Sequence, residues 1–257
     1  MRESEKGNRD HLPRLPSRRA FITTSAVAVA AGLLRSNGVM AAGAAAEQES
    51  SIVALTKEAR DQMTADQILK KWKDGNVRFV EGQKIQRDFL AEQRATAAGQ
   101  FPAGVMLSCI DSRAPAEILF NLGMGDVFNA RIAGNIENPD ILGSMEFTTK
   151  LAGAKVILVM GHSACGAVAG AIADAKLGNL TQLLAKIQPA IKATTYAGDR
   201  TANNEAFVDA VARKNVELTM DNIRKHSNVI AELEKAGAVK IAGAFYDLKT
   251  GGVEFLA

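Results

Sequence analysis

Lys155-Val-Ile-Leu-Val-Met160, running on into Gly161-His162-Ser-Ala-Cys165, is the stretch of this 257-residue chain whose reading decides the fold. An unbroken run of branched apolar residues closed by glycine reads as a strand buried on both faces, the kind found in parallel sheets. Gly104-Val-Met-Leu-Ser-Cys109 reads the same way, and it leads into Cys109-Ile-Asp111-Ser-Arg113. Both cysteines of the chain and one of its three histidines therefore stand where a buried strand gives way to a loop.

Working outward, helical spacing of Ile68, Leu69, Trp72, Val77, Phe79 and Val80 predicts a helix from Thr64 to Gln83, and a second from Arg87 to Ala98 stops at Gly99. Pro115 sits near the start of a helix ending by Gly123, where its missing N–H costs nothing. Asp126–Arg131, Val239–Phe245 and Val253–Leu256 read as strands. Gly143–Leu151, Cys165–Lys176, Leu180–Ile191 and Asn203–His226 read as helices, and 192–202 as a polar, exposed loop. Alternation of strand and helix predicts an α/β fold: a mainly parallel, doubly wound sheet of four strands plus a short fifth, flanked by helices. Sites in such sheets form at the carboxyl ends of strands, which is where Cys109 and His162 fall.

Two thiolates and an imidazole suit zinc in tetrahedral geometry, and three protein ligands leave the fourth position for water or substrate. His162 and Cys165 can reach one ion from a single turn, whereas Cys109 must arrive from another element. Competing readings are two unrelated buried thiols, a disulfide in an exported protein, and a cysteine phosphatase loop. The last would need a longer phosphate cradle, and Pro115 stands where its arginine belongs.

The N-terminus has a separate reading. Ser17-Arg18-Arg19-Ala-Phe21-Ile22 precedes an alanine-rich apolar stretch from Ala20 to Leu34, with small residues at Ala42–Ala46 suited to cleavage. This predicts a twin-arginine (Tat) signal over 1–46, a linker over 47–63 and a single domain over 64–257, exported by the Tat machinery to the periplasm. The apolar stretch is shorter than the roughly 20 residues that span a bilayer, so no stable membrane span is expected after cleavage. Loss of 1–46 would leave 24 basic against 25 acidic residues, moving the formal charge from +3 to −1. Nothing in the remaining chain calls for nucleic acid.

Three segments together resemble the β-class carbonic anhydrases: Cys109-Ile-Asp-Ser-Arg-Ala-Pro-Ala-Glu117, Gly125-Asp-Val-Phe-Asn-Ala-Arg-Ile-Ala-Gly-Asn135 and Gly161-His-Ser-Ala-Cys-Gly-Ala-Val168. The similarity runs from about Trp72 to the C-terminus. It implies one zinc per chain on Cys109, His162 and Cys165, an Asp111–Arg113 dyad beside it, and substrate contacts from Gln100, Phe128 and the Gly166 backbone. It also implies a homodimer or tetramer in which one subunit completes the other's pocket. Phe147 stands where many members have tyrosine and Ala133 where several have valine, so the apolar pocket has its own shape. Met106 replaces a tryptophan of one bicarbonate-regulated subgroup.

The reaction implied is reversible hydration of carbon dioxide to bicarbonate and a proton. Two thiolates cancel the formal charge of zinc, which makes its water harder to deprotonate, so Arg113 is expected to hold Asp111 ionised as a hydrogen-bond acceptor beside it. In a closed state Asp111 would instead become a fourth metal ligand. Rival readings are hydrolysis of carbon disulfide or carbonyl sulfide on the same scaffold, and a non-catalytic zinc protein.

Overall fold

The computed structural model describes residues 54–256. The Tat motif, its apolar stretch and the cleavage region lie outside the described residues. Among the described residues, no helix is long and apolar enough to cross a membrane.

In chain order the elements are α1 (Lys57–Gln62), α2 (Ala65–Val80), α3 (Phe89–Thr96), β1 (Gly104–Ser108), α4 (Ala116–Leu119) and β2 (Val127–Arg131). A 3-10 turn (Ala133–Asn135) precedes α5 (Pro139–Glu146), which winds into a π-helical turn (Phe147–Leu151) before β3 (Val156–His162). Then come α6 (Gly166–Ile172), α7 (Gly178–Ala185), α8 (Gln188–Ala193), α9 (Glu205–His226), α10 (Asn228–Lys235), β4 (Lys240–Tyr246) and β5 (Val253–Leu256). The sheet order is β2-β1-β3-β4-β5, with β5 antiparallel to β4 and every other pair parallel. This is the α/β architecture the sequence predicts.

Side chains that satisfy free backbone N–H groups set the helix starts. Thr64 and Gln67 form a reciprocal capping box on α2. Asn138 caps α5 with Pro139 in its first turn, so this helix begins before the expected Gly143. Ser227 ends α9 and caps α10, a helix the sequence reading missed because one side chain both stops and restarts the spiral. The expected helix over Leu180–Ile191 is two, α7 and α8, since Pro189 has no N–H to continue the first. The segment expected to be a linker contains α1, whose Arg60 is buried and donates to the Ala152 carbonyl. The loop after α8 is anchored as well: Tyr196 packs on Phe207 with ring centroids 5.2 Å apart.

Both faces of the sheet are covered, so β1 and β3 are buried throughout and apolar up to the ends that carry Ser108 and His162. Ile68, Leu69 and Trp72 of α2 pack on Met106, Leu158 and Met160. On the other face, Val216, Met220 and Ile223 of α9 and Ile230 of α10 cover Val105, Leu107, Ile157 and Val159. Each such side chain contributes about 1.5–3 kcal/mol by leaving water. Close approach of α9 depends on Gly161, where an added Cβ would come 2.8 Å from Val216 Cγ2.

Asn76, within α2, closes the edge of the sheet. Its amide donates to the carbonyls of Leu119 and Gly251, at 3.1 and 3.0 Å, and its Oδ1 accepts the Val253 N–H at 2.8 Å. Asn76→Ala leaves three backbone groups without their partner, and urea unfolding should register a loss of about 2–4 kcal/mol.

Candidate metal centre

The three donors predicted to bind metal converge from three places. Cys109 directly follows β1, His162 is the last residue of β3 and not the first of the loop after it, and Cys165 immediately precedes α6. All three are buried, and their ligand atoms lie within 4.8 Å of one another. The two thiols remain unpaired as cysteines, which removes the disulfide alternative here.

The imidazole is oriented by its own loop. Nδ1 of His162 lies 2.9 Å from the Ser163 carbonyl, which makes that nitrogen the N–H donor and turns Nε2 toward the sulfurs. Nε2 is buried and has no hydrogen-bond partner. An orphaned acceptor beside two sulfurs fits a thiophilic, borderline cation such as zinc. Cys109 is further prepared by the Gly134 N–H, which donates to its Sγ at 3.4 Å. Its pKa is lowered by the hydrogen bond from the Cys165 thiol foremost, against burial, while Cys165 is pushed up by the neighbouring thiolate and by burial. Two thiolates side by side without a cation would repel, so the pair keeps one proton that a metal ion would displace.

Asp111 does not join the three donors. Its Oδ1 accepts from the backbone N–H and Nε of Arg113, both at 2.9 Å, and its Oδ2 accepts from Nη2 at 2.7 Å. The Arg113 hydrogen bonds, working against burial, hold the carboxyl well below the usual carboxylate range. Oδ2 still lies 3.9 Å from His162 Nε2, so the carboxylate borders the metal position while pinned to the arginine. Arg131 braces the same loop, donating to the backbone carbonyls of Cys109 and Asp111.

A cavity of about 300 Å³ opens on this point. Cys109, Asp111, Ala133 and Gly166 line it together with Ile110, Ala167 and Leu184, so its wall is mostly apolar. Gln100, Phe128 and Phe147 are not among its lining residues. Gln100 is exposed, and Phe128 and Phe147 line a separate cavity of about 630 Å³ beside Val105, Asn129 and Gly143. Sequence reasoning assigned no role to Arg131, Gly134 or Ser163. The sequence offered a signal for Gly134 alone, in being a glycine, the residue that suits the positive φ of 71° found there.

A family model described as carbonic anhydrase matches residues 104–253, which contain the whole donor set. The chain belongs to the β-class carbonic anhydrase family. The carbonic anhydrase of Mycolicibacterium smegmatis is 34% identical over 191 residues, covering 72% of this chain and 90% of that protein. That of Pseudomonas aeruginosa is 30% identical over 190 residues, covering 71% and 85%. Among solved structures, a tetrameric β-carbonic anhydrase of Sordaria macrospora superposes with a TM-score of 0.56 at 27% identity, over 63% of this chain and 83% of that one. A Coccomyxa β-carbonic anhydrase in complex with acetazolamide gives 0.58 at 25% identity, over 63% and 75%.

The family uses zinc, and the buried donor set of this enzyme suits it. Zinc content of the purified full chain should be close to one per chain. Cys109→Ser, His162→Ala and Cys165→Ser should each abolish tight binding in a competition against a chromophoric chelator, because removal of one of three ligands leaves an incomplete cage.

Proposed function

We propose that this carbonic anhydrase hydrates carbon dioxide at a single zinc held by Cys109, His162 and Cys165, with Asp111 and Arg113 as its orienting dyad. The observation that carries the assignment is the orphaned Nε2 of His162 within 4.8 Å of two sulfurs, with a carboxylate beside it already committed to an arginine. Zinc in such a cage supplies a water acidified enough to act as nucleophile near neutral pH, an effect for which the histidine-ligated carbonic anhydrases are the standard example.

The chain's own residues do the rest. Asp111, ionised and fixed by Arg113, accepts the hydrogen bond of the attacking water and turns its lone pair toward the cavity. An uncharged linear substrate meets Ile110, Ala133, Ala167 and Leu184, which offer no competing hydrogen bonds. Gly166, at the cavity wall and the first residue of α6, has a backbone N–H without an intrahelical partner, which can donate to an oxygen of the bicarbonate product.

Gln100, Phe128 and Phe147 serve the pocket of a second subunit. Their separation from the Cys109 cavity supports this reading, as does the exposure of Phe147 at 55% and of Leu90 at 68%, which a homodimer or tetramer would cover. Residues 1–46 direct Tat export to the periplasm, and replacing Arg18 and Arg19 with lysine should leave the uncleaved precursor in the cytoplasm.

Stopped-flow hydration by the zinc-loaded chain should rise with pH through the neutral range. The rise comes from the nucleophile losing its proton, since Asp111 is held far below that range and stays charged across it. Asp111→Asn should lower kcat by about 100-fold or more with zinc still bound. A zinc-loaded chain without hydration at any pH would sink the assignment. Phe147→Asp should dissociate the oligomer in sedimentation and cost activity together.

A further inference from the structure

Between His162 and Cys165 lie only Ser163 and Ala164, and in those two residues the chain must turn so that both ligand atoms reach one ion. The turn is made at Ala164, whose φ of 51° is left-handed. Glycine adopts that conformation freely, whereas an alanine stays there only where its surroundings hold it. Packing does not do so, because Ala164 is exposed.

Ser163 is fixed by the end of β4: its N–H donates to the Tyr246 carbonyl at 2.9 Å, and its Oγ accepts the Leu248 N–H at 2.9 Å. Ala164 has a different restraint. Its N–H donates to Oδ1 of Asp209 at 2.9 Å. Asp209 projects from α9, a 22-residue helix whose neighbouring Val208, Val211 and Ala212 are fully packed, so the carboxylate stands on a rigid frame. Burial pushes the Asp209 carboxyl up, and the Ala164 N–H works against that shift.

We infer that Asp209 is a positioning residue of the metal centre, which holds Ala164 in its left-handed conformation and so sets the bite of His162 and Cys165 on the ion. The inference rests on the zinc reading above. It treats α9 as more than a cover for the sheet, because one of its side chains reaches past β3 to the ligand loop.

The test is a set of zinc dissociation constants, measured on the zinc-free full chain by chelator competition, together with the visible spectrum of the cobalt-substituted protein. Asp209→Ala should raise the zinc dissociation constant about tenfold or more and change the cobalt bands. Ala164→Gly alone should stay within about threefold of wild type, and the double variant Asp209→Ala/Ala164→Gly should return to within about threefold, since glycine needs no restraint at positive φ. An α9 residue with a merely structural role would not be rescued by a glycine in the ligand loop.

Wild-type affinity in Asp209→Ala, or a double variant as weak as the single one, would overturn the inference. Should Asp209→Ala not accumulate as folded protein, Asp209→Asn carries the test, because its amide oxygen accepts the same N–H. It must bind zinc within about threefold of wild type, and a tenfold loss overturns the inference. A wild-type chain that binds zinc but hydrates no carbon dioxide removes the anhydrase assignment and leaves these constants to decide Asp209. A wild-type chain with no zinc affinity removes both.

Discussion

The parallel register of β1 against β3 is the constraint on which the rest of the structure depends. Gly104 pairs with Val156 and Ser108 with Met160, so the two strands run out at the same edge of the sheet. Cys109 and His162, remote in the chain, emerge there side by side. A slip of one residue would send alternate side chains to the opposite face and carry the imidazole away from the sulfurs. Burial on both faces forbids that slip: Met106, Leu158 and Met160 are buried against α2, and Val105, Leu107, Ile157 and Val159 against α9. The hydrophobic core and the ligand geometry are thus one requirement.

Charge at the site is distributed so that each group is prepared by a hydrogen-bonding neighbour, from its own loop for His162 and Asp111 and from a separate turn for Cys109. Gly134 N–H supports the Cys109 sulfur, the Ser163 carbonyl sets the His162 tautomer, and Arg113 takes the Asp111 carboxylate. Arg131 adds a second arginine to the same aspartate, gripping its backbone while Arg113 grips its side chain. Such supporting hydrogen bonds orient the side chains that would hold a metal and tune their basicity. They also keep the Asp111 carboxylate on Arg113, 3.9 Å from His162 Nε2.

Much of the fold was legible because its signals are local. An unbroken apolar run means a strand covered on both sides, and β1 and β3 follow it closely. Capping side chains such as Thr64 mark helix starts. The departures have equally local causes: Ser227 restarts a helix that the apolar pattern alone would end, Pro189 divides another, and Arg60 ties α1 to the Ala152 carbonyl from a stretch without apolar periodicity. At the site, Cys109, Asp111, Ala133 and Gly166 meet at one cavity with His162 and Cys165 behind it, whereas Gln100, Phe128 and Phe147 do not. A linear pattern orders residues along a chain and does not say whether they face their own site or that of another copy.

By itself the sequence determined the chemistry of the donors, the strands that carry them and the family to which the chain belongs. All three are properties of residue type and spacing, written locally. Only the tertiary structure decided which atoms meet: that His162 presents Nε2 and not Nδ1, that Asp111 is bound to Arg113 and not drawn to the metal position, and that Ala164 is pinned by Asp209 from α9. Those outcomes depend on which hydrogen bonds close once the packed sheet has fixed the loops, whether the partner is a near neighbour, as for His162 and Asp111, or lies far along the chain, as Asp209 does from Ala164.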